Sequence, residues 1–394
     1  MNTIEGNMPP RRALRIGMFM GPFHAPNLDP SYALERDLQL VTLLDRLGFD
    51  EAWIGEHHSG GFEIIASPEV FIAAAAERTK HIRLGTGVKS LPYHHPFVVA
   101  ETMAQLDHMT RGRVMFGAGP GALPSDAKMF GIAPVESRPH MDEALDCIVA
   151  LLRGDTVTKK TKWFELNEAR LSVGCYSKPT MEIAVAAIRS PAGAIAAGRH
   201  GASLLVLSGV DEASLKHHLA NWTIYEETCR SYGHLADRTR WQFAVQMHLA
   251  ESREQARKDV EYGLEKWIGY ANDIVPAPNP PPRGLADPVA WMVDNERAII
   301  GTPDDAVAKI ERMLEITGGF GGILVFAQDW ANWPATHRSL ELIAEVVRPK
   351  LNGSNLFRQA SYDRNAPIND ANRALAQAGV DAAQARYVAA KTRG

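Results

Sequence analysis

The stretch Gly48-Phe-Asp-Glu-Ala-Trp-Ile-Gly-Glu-His-His-Ser59 joins the end of a helix to a short buried strand that finishes in polar residues. Before it, apolar residues recur at helical spacing from Leu34 to Leu47, and Gly48 stands where that helix should end. Residues 51–56 predict a strand, and the polar run 56–59 follows at its carboxyl end. The segment is therefore one helix-to-strand unit that carries reactive side chains at its end.

The same unit repeats along most of the chain. Each predicted strand is followed by a segment of helical periodicity, which is typical of β/α units around a parallel sheet. Eight such strands fit a closed (β/α)₈ TIM barrel, of the α/β class, better than an open doubly wound sheet. The predicted strands are Leu14–Met20, Glu51–Glu56, Ile82–Val88, Arg113–Ala118, Glu182–Ala187, Leu204–Ser208, Gln242–Leu249 and Gly322–Ala327.

Two insertions interrupt this repeat, and the chain extends beyond it at both ends. One insertion covers about residues 154–179, after the fourth helix, and the other covers about 270–295, before a helix predicted over 302–317. The second is rich in proline and predicts a lid or a surface arm. We expect an N-terminal extension over residues 1–13, a barrel over 14–351 and a partly helical tail over 352–394. That tail could pack on the barrel, reach a partner subunit or be mobile.

Composition excludes several classes of function. The chain has 394 residues, of which 45% are hydrophobic and 22% are charged, and its formal net charge is −4. A near-neutral chain is a poor binder of nucleic acid or of an acidic membrane surface. The sequence has no apolar run of membrane-spanning length, and no apolar h-region follows Arg11 and Arg12, so we expect no secretory signal. Three widely spaced cysteines predict neither disulfides nor a zinc site. We therefore expect a cytoplasmic protein without a metal.

The polar run at the end of the second predicted strand is a candidate catalytic centre. His57 and His58 are adjacent on extended backbone and point to opposite faces, so they are poor co-ligands for one metal. One of them should face the barrel mouth, where a neutral imidazole could donate or accept a proton while Glu56 holds its ring. The alternative is a histidine that only packs and makes one hydrogen bond.

Glycine-rich segments follow the third and fourth predicted strands. Gly85 and Gly87 either let a flat ligand approach the backbone or mark a bulge. The loop Phe116-Gly-Ala-Gly-Pro-Gly-Ala122 fits a loose dinucleotide-binding pattern, but it follows the fourth strand and lacks the acid expected at the end of the next strand. We therefore expect its glycines to give room at the barrel mouth. After the fifth strand, Arg189 and Ser190 precede a helix start, which makes either a phosphate seat or an ordinary helix cap.

These segments, in this order, resemble the bacterial luciferase-like flavin-dependent monooxygenase family, over about residues 14–351. Within that family, residues 56–68, 88–96 and 119–126 look most like those of limonene 1,2-monooxygenase-type members. The motifs that carry the resemblance are Gly48–His58, Ser67-Pro68, Ile82–Val88, Leu91-Pro92, His95-Pro96, Leu106-Asp107, Arg111–Arg113, Phe116-Gly117, Ala187 and Ser190.

The resemblance implies an enzyme that binds reduced FMN (FMNH2), supplied by a separate NAD(P)H-dependent flavin reductase. In this family O2 reacts with the reduced flavin to give a C4a-(hydro)peroxide, which transfers one oxygen to a small apolar substrate. Matched by motif, His57 is the catalytic histidine and Glu56 its neighbour. Gly87 and Val88 are the small pair beneath the isoalloxazine, often joined by a cis peptide.

The same matching assigns the rest of the cofactor site. Gly119 gives room for the cofactor at the barrel mouth, and Ala187 to Ser190 form the turn beside the phosphate. The family's phosphate-binding arginine after the fourth strand is replaced here by Pro120, so we expect Arg189 to supply that charge. The resemblance also implies a homodimer.

A reduced flavin that reacts with O2 needs a pocket from which water is excluded. Met18, Phe23, Phe62 and Trp330 are the apolar candidates to line it, with the 270–295 insertion covering the mouth. The residues do not decide between epoxidation or hydroxylation of a terpene and Baeyer–Villiger oxidation of a ketone. A coenzyme F420-dependent hydride-transfer enzyme and a non-catalytic flavin-binding protein remain alternatives, and a metal-dependent barrel hydrolase is the weakest one.

Overall fold

Eight parallel strands close into a barrel, as the sequence predicts. The computed structural model describes residues 14–188, 190–277 and 279–392, so the predicted extension 1–13 and Arg189 lie outside the described residues. Each strand pairs with its neighbours in chain order, and pairing of the first strand with the eighth and of the third with the fourth closes the sheet. The strands are β1 (Arg15–Phe23), β2 (Glu51–Ile54), β3 (Arg83–Thr86), β4 (Val114–Gly119), β5 (Glu182–Ala187), β6 (Ser203–Val206), β7 (Trp241–Val245) and β8 (Gly322–Gln328).

Helices follow the strands, and several begin at the residues that the sequence marks as starts. Pro68 and Pro96 occupy first-turn positions, where a missing N–H costs nothing, and Thr302 forms a capping box with Asp305. The helices up to residue 347 are α1 (Pro30–Leu47), α2 (Pro68–Arg78), α3 (Pro96–Thr110), α4 (Pro124–Met129), α5 (Pro134–Arg153), α6 (Ala192–His200), α7 (Glu212–Ser231), α8 (Arg253–Val260), α9 (Leu264–Asp273), α10 (Pro288–Asp294), α11 (Pro303–Thr317) and α12 (Trp333–Leu342).

The barrel interior is filled by a layer of apolar side chains centred on Trp53, which is fully buried. A Cβ atom at Gly85 would lie 2.5 Å from the indole, and one at Gly117 would lie 3.0 Å from it. Gly85 therefore makes room for a side chain of the core and not for a ligand. The other members of the layer are Phe19, Met115, Ala184, Leu205, Ala244 and Leu324.

A charged layer closes the amino-terminal end of the barrel. Glu182 accepts hydrogen bonds from Arg83 at 2.7 Å and from Arg15 at 3.3 Å, and Arg15 also donates to Glu51 at 3.2 Å. Burial alone would raise the pKa of Glu182, but the two arginines outweigh it and lower the value to about 2. In barrels of this kind such a layer supports stability, while the opposite end carries the active site.

Both predicted insertions contain secondary structure of their own. The first holds the antiparallel strands Val157–Lys160 and Glu165–Ala169. The second begins earlier than predicted, because a parallel pair of short strands, Met247–Leu249 and Ile299–Gly301, brackets α8, α9 and α10. Within it, residues 264–277 and 279–281 are called the cap below.

Residues 348–392 form a second unit, separate from the unit that ends at residue 347. They contain α13 (Arg348–Asn352), α14 (Leu356–Asn365) and α15 (Asn369–Lys391). Among the helices of the described ranges, none combines the length and apolar character that crossing a membrane requires.

Candidate active site

A cavity of about 360 Å³ opens at the carboxyl ends of the barrel strands, the end where barrel enzymes keep their active sites. This volume lies within the range of small-molecule and cofactor sites. Its lining is mainly apolar, and the cap supplies one side of it. The polar and charged side chains that line it include Glu56, His57, Glu63, Gln246, Tyr270, Arg297 and Gln328.

His57 lies at this cavity with a carboxylate at each ring nitrogen. Its Nδ1 is 3.2 Å from Oδ2 of Asp126, in the first turn of α4, and its Nε2 is 3.3 Å from Oε2 of Glu63. The backbone N–H of His57 donates to the Ile65 carbonyl at 3.1 Å, which fixes the turn after β2. A neutral imidazole has a single N–H, whereas an imidazolium donates at both nitrogens. The arrangement therefore suits the charged ring.

The pKa shifts of His57 and Asp126 agree with this geometry. Burial lowers the pKa of His57, but the negative charges of Glu63 and Asp126 outweigh that effect and raise it above its usual value. Burial likewise raises the pKa of Asp126, whereas hydrogen bonds from His57 and Ser59 leave it lower than usual. The sequence suggests a neutral ring at this position, whereas the two flanking carboxylates favour the protonated one.

Glu56 holds a different histidine from the one that the sequence suggests. Its Oε1 is 3.1 Å from Nε2 of His58 and 2.5 Å from Nε2 of His94, and its Oε2 accepts from the Ser90 N–H at 2.7 Å. Burial raises the pKa of Glu56, but these donors and the charge of Lys89 lower it to about 2. The expectation that Glu56 holds the His57 ring is wrong, because adjacent residues on extended backbone point to opposite sides.

The carboxylate of Glu56 also belongs to a group of possible metal ligands. Glu56, His58 and His94 bring three ligand atoms within 4.8 Å of one another. The ammonium of Lys89, itself buried, lies 3.2 Å from Oε1 of Glu56 and repels a second cation at that position. The cluster therefore suits an ion-pair network, and the absence of a metal stays a prediction.

The predicted small residues form one wall of the cavity. Gly87 and Val88 line it, and the peptide bond between them is cis. Gly119 does not line it, but a Cβ there would lie 2.3 Å from Cγ2 of Val88, so this glycine makes room for the wall. Gly121, one of the loop glycines expected to give room at the barrel mouth, lines the cavity with a positive φ of 84°.

The four apolar candidates are divided by the direction of their side chains. Phe23 lines the cavity, and Phe62 stacks on it at 5.2 Å. Met18 and Trp330 are buried elsewhere and line a second, smaller cavity beside α1 and α12. Side chains alternate along β1, so Met18 points outward while Phe19 points into the barrel. Trp330 packs in the apolar cluster beneath the cap, with Trp267.

The loop after β5 holds the predicted phosphate turn. Ala187 is buried and ends the strand, Ile188 lines the cavity, and Ser190 is exposed. The residue at the amino-terminal cap of α6 is Pro191 and not Ser190. Arg189 lies outside the described residues, so its binding of a phosphate stays a prediction.

Comparison with known proteins shows the family of this chain. The family model described as luciferase-like monooxygenase matches residues 14–319, which is most of the barrel. The chain belongs to the luciferase-like monooxygenase family. Its closed barrel is therefore the fold of a family of monooxygenases.

Two curated relatives and one solved structure place the chain within the luciferase-like monooxygenases. It is 45% identical to limonene 1,2-monooxygenase of Rhodococcus erythropolis, covering 95% of this chain and 96% of that protein. It is 41% identical to 4-hydroxyprotoasukamycin monooxygenase of Streptomyces nodosus subsp. asukaensis, covering 92% and 99%. The oxygenating constituent of 3,6-diketocamphane monooxygenase from Pseudomonas putida, a type II Baeyer–Villiger monooxygenase in complex with FMN, aligns with a TM-score of 0.72 at 27% identity, covering 86% and 99%. The resemblance to limonene monooxygenase-type members is thereby confirmed.

Several residues that line the cavity of this luciferase-like monooxygenase, or that contact His57 beside it, were missed by sequence reasoning. Glu63, Asp126 and Tyr270 stand on three separate loops and helices, and no local spacing relates them to His57. Gln246 follows β7 immediately, and its position at a strand end is a signal that could have identified it. Arg297 follows α10, where its guanidinium lies 6.0 Å from the centre of the Trp291 ring.

Proposed function

We propose that this protein uses reduced FMN and O2 to insert one oxygen atom into a small apolar substrate. The observation that carries the proposal is the apolar cavity at the carboxyl ends of the strands, with His57 held between two carboxylates at its edge. The family membership supports this proposal, since a relative in the same fold is described in complex with FMN.

The residues of the cavity fit a flavin. Gln246 lines the cavity, and its buried Oε1 has no hydrogen-bond partner among the described residues, so it can accept a hydrogen bond from the imide N–H of the isoalloxazine. Gly87 and Gly121 present a wall with no side chain, against which a flat ring can lie. Arg297 gives the cavity a cation for a polar group of the ligand.

Bound reduced flavin supplies the electrons with which O2 is activated. The protein's own part is to position the reactants, to exclude water and to hold a proton at His57. Phe23, Leu207 and Phe326 give the cavity apolar walls, and the cap covers one side, which together limit the entry of water. An imidazolium at the cavity edge can donate a proton to, or stabilise, developing negative charge.

We favour epoxidation or hydroxylation of a terpene-like substrate as the reaction. The support is the 45% identity to a limonene 1,2-monooxygenase over nearly the whole length of both proteins. Baeyer–Villiger oxidation of a ketone is the second candidate, because the structural relative described as a Baeyer–Villiger monooxygenase shares the fold at 27% identity. Separate assays with an alkene and with a cyclic ketone distinguish the two.

We also propose the partners that the family resemblance implies, namely a separate NAD(P)H-dependent flavin reductase and a second copy of this chain. Large apolar side chains exposed on α14 and α15, such as Phe357, Leu375 and Tyr387, are consistent with contact between subunits. Cys147, Cys175 and Cys229 are free thiols, which suits a cytoplasmic location. Sedimentation velocity on the full chain tests the dimer directly.

The cofactor assignment is tested by anaerobic titration of the full chain with reduced FMN and, separately, with reduced coenzyme F420. We expect saturable binding of reduced FMN and weaker binding in Gln246→Leu, which keeps the side-chain size but removes the acceptor. Gln105→Leu, on the exposed side of α3, is the matched control and should bind as the unchanged protein does. Binding of F420 in preference to FMN would refute the proposal and favour hydride transfer.

A further inference from the structure

Glu63 is shared between the catalytic histidine and the cap. Its Oε2 faces Nε2 of His57 at 3.3 Å, and its Oε1 accepts a hydrogen bond from the hydroxyl of Tyr270, on α9. The residue is linked to β1 through an antiparallel bridge with Phe23. A Cβ at Gly21 would lie 2.7 Å from Oε2 of Glu63, so the carboxylate occupies space that a glycine leaves open. This carboxylate is thus fixed from three sides.

Tyr270 brings the cap to this carboxylate and packs there. Its ring centre lies 5.2 Å from that of Phe23 and 5.0 Å from that of Phe62. Burial and the neighbouring charge of Glu63 raise the pKa of Tyr270, so its hydroxyl remains a donor at any physiological pH. The cap therefore supplies one hydrogen bond to Glu63 as long as α9 stays in this position.

We propose that Glu63 is a positioning residue that latches the cap to the barrel through Tyr270 and, with its other oxygen, keeps His57 charged at the cavity. The inference rests on the proposed function in one respect only: in catalysis, the latch would keep the protonated His57 at the cavity while the cap covers the site. The latch itself is a property of the ligand-free chain.

The two carboxylates that contact His57 have separate roles. Glu63 and Asp126 contact the ring directly, whereas Glu56 acts from farther away and is itself paired with Lys89. Tyr270 contacts Glu63 and not the histidine. Removing Glu63 should therefore affect both the ring and the cap, removing Asp126 should affect the ring, and removing the Tyr270 hydroxyl should affect the cap.

Two measurements on the ligand-free full chain test these roles. The first is the pH titration of His57 by ¹⁵N NMR of histidine-labelled protein, with the signal assigned by its loss in His57→Gln. The second is amide hydrogen exchange of residues 264–277. Glu63→Ala should lower the pKa of His57 by about one unit or more, the effect of removing one contacting charge. It should also speed exchange in the cap by about tenfold, as expected when a hydrogen bond to a charged group is lost.

The other variants separate the two effects. Tyr270→Phe should speed exchange in the cap to a similar extent while the pKa of His57 stays above its usual value. Asp126→Asn should lower the pKa of His57 and leave the cap unchanged. Glu35→Ala, which removes an exposed carboxylate on α1, is the control and should change neither reading. Glu63→Gln, which removes the charge but keeps an oxygen that can accept from Tyr270, is the second variant; it should lower the pKa of His57 and have little effect on the cap.

The proposal is overturned if Glu63→Ala leaves either the titration of His57 or the exchange of the cap at the value of the unchanged chain. If Glu63→Ala does not fold, an unchanged titration of His57 in Glu63→Gln overturns it. It is also overturned if Tyr270→Phe has no effect on the cap. Neither measurement contains flavin or substrate, so failure of the latch and failure of the proposed function are separate results.

Discussion

The buried charge cluster around His24 makes a prediction about stability and pH. His24 lies at the carboxyl end of β1, with Nε2 3.0 Å from both carboxylate oxygens of Asp37 on α1 and Nδ1 2.9 Å from Oδ2 of Asp329 after β8. Arg36 also donates to Asp329. The cluster ties the first and last strands to the first helix, next to the residues that line the cavity.

The magnitude follows from the proton affinity of this ring. Burial lowers the pKa of His24, but hydrogen bonds from its ring to Asp329 and Asp37 raise it from 6.5 to about 9. At about 1.4 kcal/mol for each tenfold change in proton affinity, the charged ring contributes about 3 kcal/mol to the free energy of unfolding. Burial raises the pKa of Asp37, which lowers the net stability of the cluster but does not change the contribution that is lost when His24 titrates.

The sign of the pH dependence is fixed by the direction of the shift. Because the pKa of His24 is raised on folding, its contribution is complete below about pH 6.5 and is lost as pH rises through about 9. Urea unfolding at several pH values between 6 and 10 measures this in the unchanged chain and in His24→Gln. The difference in free energy of unfolding between the two should shrink by about 3 kcal/mol across that interval.

His81→Gln is the control for this series, since His81 is an exposed histidine outside the cluster. Its difference from the unchanged chain should stay small at every pH. A difference for His24→Gln that is the same at pH 6 and pH 10 would show that the ring is not charged in the folded protein, and would refute the reasoning.

Two further predictions concern the cavity wall and the opposite end of the barrel. Gly119→Ala should weaken binding of reduced FMN about tenfold, because the added methyl would lie 2.3 Å from Val88 and displace the wall, whereas Gly174→Ala, in open space, should bind normally in the same titration. Glu182→Gln should lower the free energy of unfolding by about 2 kcal/mol, between the values for exposed and fully buried pairs, since Arg83 and Arg15 each lose a carboxylate and Arg15 keeps only Glu51. Glu165→Gln, which breaks an exposed pair, should change it by less than about 1 kcal/mol, and equal losses in urea unfolding would contradict this account.

The fold could be predicted from sequence because buried parallel strands leave a local signal. All eight predicted strands are present, and the main error was local: Gln242–Leu249 is two strands separated at Gln246. Periodicity identifies a strand, but it does not state which face of the strand turns inward. For that reason Met18 was expected in the cavity, although its neighbour Phe19 is the residue that points inward.

The site could be predicted only as far as single segments reach. His57, Gly87 and Val88 belong to motifs and lie at the cavity. The partners of His57 could not be read in the same way, because Glu63 approaches it from the loop after β2 and Asp126 from helix α4. Which carboxylates pair with His57 and which with His58 depends on the directions of the two rings in the turn after β2. Those directions are a property of the tertiary structure.

Oxygen incorporation is the most direct test of the central claim. The full chain, reduced FMN, limonene and ¹⁸O2 are combined, and the product is analysed by mass spectrometry, with His57→Ala in parallel. We predict a product that carries one ¹⁸O atom, formed only with reduced FMN, at a rate at least about a hundredfold lower in His57→Ala. Binding of reduced FMN without ¹⁸O in limonene or in a cyclic ketone tested beside it would contradict the account.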